Sequence, residues 1–245
     1  MKEKKVLLMG NPNVGKSTVF NELTGMHQHT GNWTGKTVDS ADGNFYYKYN
    51  NYRLIDLPGT YSLIPSSEEE RVAGEYLLKE KYDCVVIVID STLLQRNLML
   101  FYQILEITNK VVVMLNLCDE AKKRNIEIDK NILSNLLGVP VIKATARSGK
   151  GINELLEEIH LISTNSEDYY SKKEYDLNKI DIENLAYKAE FVTNKAVTQA
   201  PSKKEKRDEF IDKIILGKYT SIPIMLIMFG IILWITIKGS NYPSE

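Results

Sequence analysis

The sequence predicts an α/β fold: a mostly parallel sheet covered by helices, followed by a small all-helical domain and a transmembrane helix. Three observations predict it. Short apolar, β-branched runs alternate with helical segments over residues 1–164. A glycine-rich loop joins the first such run to the first helix, and a nearly unbroken apolar stretch lies near the C-terminus. Alternation of this kind places a parallel sheet between helices, with ligands at the carboxyl ends of the strands.

The elements follow in order. Residues 6–9, 53–56, 84–90, 111–116 and 139–143 read as buried strands. Residues 38–49 are more polar and end near the turn signal Asn50-Asn51, so they read as a strand in a hairpin with 52–56. Residues 69–78, 95–108, 130–137 and 153–162 carry apolar positions at helical spacing and read as the covering helices. A polar linker, 163–168, precedes two charged amphipathic stretches, 182–197 and 202–216. There is no internal repeat.

The chain has 245 residues and a formal net charge of −1. That balance argues against a general nucleic-acid coat, which is basic overall. Cys84 and Cys118 share no ligand spacing, and Cys84 sits in an apolar run, so it reads as a small buried residue. The start, Met1-Lys2-Glu3-Lys4-Lys5, has charge but no signal-peptide apolar region. Residues 222–237 are nearly all apolar, and a membrane-spanning helix wants about 20 such residues. The expected form is the first span of a longer membrane protein. Lys203, Lys204, Lys206, Arg207, Lys213 and Lys218 precede it and Lys238 closely follows. The positive-inside rule then puts the N-terminal part in the cytoplasm.

Gly10-Asn11-Pro12-Asn13-Val14-Gly15-Lys16-Ser17 fits G-x-x-x-x-G-K-[ST], with a strand before it and a helix opening at Thr18 after it. The loop N–H groups and the positive end of the helix dipole make an anion cradle. Lys16 would reach the β- and γ-phosphates and Ser17 would bind Mg²⁺. Asn116-Leu117-Cys118-Asp119 follows a later strand and fits N-K-x-D except at Leu117. The Asp119 carboxylate accepts two N–H bonds from guanine, and adenine offers no such pair of donors. That selects GTP and GDP, because a buried acceptor left unpaired rejects the wrong base. Ala144-Thr145-Ala146-Arg147 resembles the loop whose backbone also touches guanine. Asp56-Leu57-Pro58-Gly59 fits D-x-x-G: Asp56 would hold Mg²⁺ through water, and the Gly59 N–H would sense the γ-phosphate. Thr60 stands where many such enzymes place a water-orienting Gln, so slow intrinsic hydrolysis is expected. Residues 29–38 are glycine-rich and polar and suit a mobile switch whose Thr37 closes on Mg²⁺, with Thr30 and Thr34 as competing hydroxyls. His27 and His29 read as loop residues before they read as a metal pair. Trp33 suits a partner surface.

Taken together, these residues resemble the N-terminal part of the ferrous iron transport protein B family. The specific points are Gly10-Asn11-Pro12-Asn13, Gly31-Asn32-Trp33 with Gly35 and Thr37-Val38, and 56–63 (Asp56-Leu57-Pro58-Gly59-Thr60-Tyr61-Ser62-Leu63). The Asn-x-x-Asp without Lys and the terminal span also fit. The resemblance implies a GTP-binding domain at 1–164, a helical domain at 165–217 and the start of a membrane domain at 218–245. It implies a K⁺-activated GTPase in which Asn13 helps hold K⁺ between the phosphates. Catalytic roles then fall to Lys16, Thr37, Gly59 and Asn13. It also implies Fe²⁺ as the transported ion, a multi-pass cell-membrane location, and small accessory transport proteins or a homo-oligomer as partners. Thr34 and Lys36 depart from the family pattern. Glu68-Glu69-Glu70 reads as an acidic helix start before it reads as an iron contact. The alternative class is a soluble translation- or RNA-processing GTPase, which would need a basic domain after residue 164, where acids and bases are mixed.

Overall fold

The structure is a computed structural model, and it describes residues 3–25, 28–32, 39–164, 180–199 and 221–240. The chain divides into two compact units, 1–199 and 200–245.

The first unit is built on a seven-stranded sheet. Its elements are β1 (Lys4–Gly10), α1 (Lys16–Thr24), β2 (Gln28–Asn32), β3 (Asp39–Tyr47), β4 (Asn50–Asp56), α2 (Glu68–Lys79) and β5 (Cys84–Asp90). There follow α3 (Leu94–Leu105), β6 (Val111–Asn116), α4 (Cys118–Lys123), β7 (Ile126–Ile128), α5 (Lys130–Leu137) and β8 (Val141–Lys143). A 3₁₀ turn (Ala146–Ser148), α6 (Ile152–Thr164), α7 (Ile182–Ala196) and β9 (Val197–Gln199) complete it. The strand order is β2-β3-β4-β1-β5-β6-β8, parallel from β4 to β8 and antiparallel across β2-β3-β4. A parallel strand is covered on both faces and so reads as one continuous apolar run, as Cys84-Val85-Val86-Ile87-Val88-Ile89 does.

Two cores result. Leu7, Met9, Ile87, Phe101, Leu115 and Leu133 fill one face of the sheet, and Val6, Leu8, Phe20, Val86, Val112 and Ile159 fill the other. Each such side chain stabilises the fold by about 1.5–3 kcal/mol when fully buried. Ala189, Val192 and Ala196 of α7 belong to the first core, and β9 pairs with β7. The described part of 165–217 therefore packs into the same unit as the seven-stranded sheet. The amphipathic stretch 202–216 lies outside the described residues. Cys84 is buried, and both cysteines are free.

Register decides where the loops emerge. Gly10 pairs with Val88, Leu8 with Asp56, and Asp90 with Asn116. The phosphate loop, the loop after Asp56 and the loop after Asn116 thus leave the sheet from one carboxyl edge, where α/β folds bind ligands.

Several elements differ from the sequence reading. The β3–β4 turn falls at Lys48-Tyr49, with φ of 44° and 64°, and not at Asn50-Asn51. Two positive φ values match the twist of a tight hairpin, and Asn50 Nδ2 braces the turn by donating to the Lys48 carbonyl at 2.9 Å. Residues 29–32 of the expected switch loop belong to the edge strand Gln28–Asn32, whose backbone pairs with Asp39–Gly43 of β3. Val139 and Pro140 lie outside β8, since Pro has no N–H to give the ladder; the Pro140 carbonyl accepts from Val113 N.

In the second unit Ser221–Ser240 forms a helix of 20 residues. Met225, Leu226, Met228, Phe229, Ile232, Leu233, Trp234 and Ile235 are exposed along it. Among the described residues no helix is long and apolar enough to cross a membrane; the side chains at 224, 227, 231 and 237–240 are outside that description.

Candidate functional site

The phosphate loop is shaped by its backbone. Asn13 (φ 65°) and Gly15 (φ 86°) are left-handed, and Thr18 N and Val19 N donate to the Gly15 carbonyl as α1 starts. Successive N–H groups in such a turn form an anion concavity. Ser17 and Thr18 are exposed at the head of α1, where the dipole favours negative charge. Asn11 is 3% exposed, and neither atom of its carboxamide has a protein partner. Val14 is buried, and Pro12 lies against Gly59.

Lys16 Nζ donates to Asp56 Oδ1, both side chains being largely buried. Burial raises the Asp56 carboxyl above its ordinary range, and the Lys16 ammonium opposes that rise. The cation suited to phosphate and the carboxylate suited to a metal thus neutralise one another. Asp56 and the exposed Ser17 hydroxyl are hard oxygen donors, the kind Mg²⁺ takes, so the residues present fit that ion.

A second loop is joined to the first by Asn116. Its Nδ2 donates to the Val14 carbonyl at 2.9 Å, and its Oδ1 accepts from the Ala146 N–H at 3.1 Å. One buried carboxamide therefore holds the phosphate loop and the loop at Thr145-Ala146-Arg147 in one arrangement. Leu117 adopts φ 57°, ψ 30°, a left-handed backbone that places Cys118 and Asp119 in the first turn of α4. Asp119 is exposed there, and Arg147 is exposed on the neighbouring turn. Thr145 N donates to the Lys150 carbonyl.

The loop after Asp56 packs back on the phosphate loop. A Cβ on Gly59 would lie 3.3 Å from Pro12 Cα, and Thr60 N donates to the Gly10 carbonyl at 3.2 Å. Thr60 is 3% exposed, and its hydroxyl accepts from Ser62 N at 3.0 Å. It is turned inward, not toward the ligand edge. Glu70 closes a capping box with Ser67, and Glu68 pairs with Arg71. These contacts give Glu68 and Glu70 local roles in starting α2, and among the described residues no cluster of His, Cys, Asp or Glu fits a metal ion.

Thr37, Thr34, Trp33, Lys36 and His27 lie outside the described residues, and Thr30 and His29 fall on β2. The sequence reading missed Gln103 and Arg96 on α3. Gln103 Oε1 accepts from Leu63 N at 2.7 Å and Ser62 Oγ at 3.1 Å. The Arg96 guanidinium lies 4.3 Å from the centre of the Tyr61 ring. A polar residue among the apolar positions of 98–104 is the signal that was available for Gln103.

Comparison with known proteins shows which family and fold the chain resembles. The family described as "Ferrous iron transport protein B" matches residues 4–159. A curated relative from Campylobacter jejuni, "Fe(2+) transporter FeoB", is 34% identical over 252 residues, covering 100% of this chain and 40% of that protein. The chain thus spans about two-fifths of the length of that relative. The crystal structure of the cytosolic domain of the T. maritima FeoB iron transporter in a GDP form superposes with TM-score 0.73 at 30% identity, over 81% of this chain and 99% of that one. Its GMPPNP form gives 0.73 at 31% identity, over 80% and 100%.

Proposed function

Because the chain belongs to the ferrous iron transport protein B family, we propose that it is the GTP-binding, GTP-hydrolysing switch of a ferrous iron membrane transporter. The observation that carries this reading is the bridge made by Asn116, which holds the phosphate loop and the base-reading loops together at the carboxyl edge of the sheet. Fe²⁺ as cargo follows from the family and not from a cluster of ligands.

In this reading the N–H groups of 13–17 bind the phosphates, and Asp119 pairs with the guanine edge beside the backbone of Thr145–Arg147. Lys16 leaves Asp56 for the β- and γ-phosphates, which frees the carboxylate. Ser17, Asp56 and Thr37 would hold Mg²⁺, which supplies positive charge to the phosphates when bound. Asn13 would hold K⁺ beside them, and the Gly59 N–H would report the γ-phosphate. Slow intrinsic hydrolysis is expected, because a buried Thr60 stands where a water-orienting Gln is usual. The apolar run 222–237 is read as the membrane segment from its composition and from the family, no helix of the described residues meeting by itself the length and apolarity of a crossing. The N-terminal unit is then cytoplasmic.

Phosphate release by the full chain in detergent micelles tests this, with GTP against ATP and KCl against NaCl. Asn13 sits at φ 65°, so Asn13→Gly removes the carboxamide without straining the backbone. The expected result is cleavage of GTP alone, faster in KCl, with the salt difference abolished in Asn13→Gly. Equal rates in both salts remove K⁺ from the mechanism, and ATP cleavage at a similar rate overturns the role of Asp119.

A further inference from the structure

The loop that carries Gly59 is held from outside, by α3. Leu63 is fully buried, and its N–H donates to Gln103 Oε1 at 2.7 Å. The same oxygen accepts from Ser62 Oγ at 3.1 Å, and Ser62 Oγ in turn accepts from Ile64 N at 3.0 Å. Upstream, Thr60 N is tied to the Gly10 carbonyl of the phosphate loop. Two turns away on α3, Arg96 covers the Tyr61 ring. Gln103 itself is 2% exposed, between the core residues Phe101 and Ile104. A carboxamide in such a place costs stability unless it is bonded, and its oxygen is spent on this loop.

We propose that Gln103 is a positioning residue that seats loop 60–64 in the resting arrangement, and so biases the chain toward the nucleoside diphosphate. This rests on the guanine-nucleotide reading above. One observation marks the clamped arrangement as resting: Thr60 is buried, and its hydroxyl accepts from Ser62 N. A triphosphate that draws the Gly59 N–H toward itself has to pull against the two bonds that Gln103 accepts. A ligand shifts such an equilibrium only by its differential affinity for the two arrangements, so a clamp on one of them is read as a ratio of affinities. Leu98, Phe101 and Ile104 of α3 also share one core with Ala189 and Val192 of α7.

The test is fluorescence titration of the full chain in detergent with labelled GDP and labelled GMPPNP, in wild type, Gln103→Met and Gln103→Glu. Met keeps the length and loses the acceptor, whereas Glu keeps the acceptor. Gln103→Met is expected to raise GMPPNP affinity relative to GDP by about 5–10-fold, the worth of one or two buried hydrogen bonds. Gln103→Glu is expected to stay within about twofold of wild type. An unchanged ratio in Gln103→Met, a shift in favour of GDP, or equal weakening of both nucleotides with a lowered Tm overturns the clamp. So does a Glu variant that behaves like Met. Wild-type chain that binds neither nucleotide overturns the nucleotide reading itself, which the ratio in a binding chain does not touch.

Discussion

The Cβ that Gly15 lacks would stand 2.4 Å from Nδ2 of Asn116. Two loops far apart in sequence meet there with no room for a methyl group, and the same Nδ2 holds the Val14 carbonyl. Gly15 also has φ 86°, which L side chains rarely adopt. Gly15→Ala is therefore expected to unfold the loop junction and abolish nucleotide binding. Asn116→Ala leaves the Val14 carbonyl and the Ala146 N–H buried without partners, at a cost of about 2–4 kcal/mol in urea unfolding without nucleotide. The double variant should cost less than the sum of the two, because the clash disappears with the carboxamide. Strict additivity would show that the two residues do not act on one another.

Asn11 provides the contrast. It is as buried as Asn116, 3% exposed, but its carboxamide has no protein partner. Asn11→Ala is expected to leave stability unchanged or raise it by about 1 kcal/mol, since removing an unpaired buried amide relieves a desolvation cost. A loss above about 2 kcal/mol in urea unfolding would contradict the orphaned state.

In the proposed function, base choice falls to the Asp119 carboxylate. Asp119→Asn exchanges an acceptor for a donor, so GDP affinity should fall by at least about 100-fold. Xanthosine diphosphate, which presents a carbonyl in place of the guanine amino group, should bind the variant better than GDP does. Competition titration reads both, and an unaltered preference for GDP would detach Asp119 from the base.

Tyr52 gives a pH prediction. Its hydroxyl lies 2.8 Å from His160 Nδ1, and the ring stacks on Phe45 at 4.9 Å. Burial pushes its pKa from 10.0 up to about 12. The folded state therefore holds the phenolic proton more tightly than the unfolded chain does. Its contribution is complete below pH 10 and is lost as pH rises toward 12. Between those values wild type should lose about 1–2 kcal/mol more than Tyr52→Phe in urea unfolding. Parallel losses would show that the phenol is not the titrating group.

The strand runs 84–90 and 111–116 were legible with their ends, because a parallel strand covered on both faces leaves no alternation to confuse. The helix 130–137 was legible for a local reason too, with Asp129 capping its start and Gly138 its end. The hairpin turn was misplaced because Lys48 and Tyr49 carry no turn signature, and their left-handed backbone is imposed by the pairing of Tyr47 with Asn50. The edge strand 28–32 was hidden because its polar, glycine-containing sequence carries no apolar alternation to mark a strand.

The glycine loop, the N-x-x-D stretch and the D-x-x-G stretch were legible from covalent order alone. Their chemistry lies in residues a few positions apart, and a glycine or a lysine at a given step has the same consequence wherever the chain folds. Which groups those residues meet was decided only by the fold. The Lys16–Asp56 pair, the Asn116 bridge and the Gln103 seat each join segments distant in the chain. Their meeting depends on strand register and helix packing, where a shift of one residue would bring different side chains to the same edge.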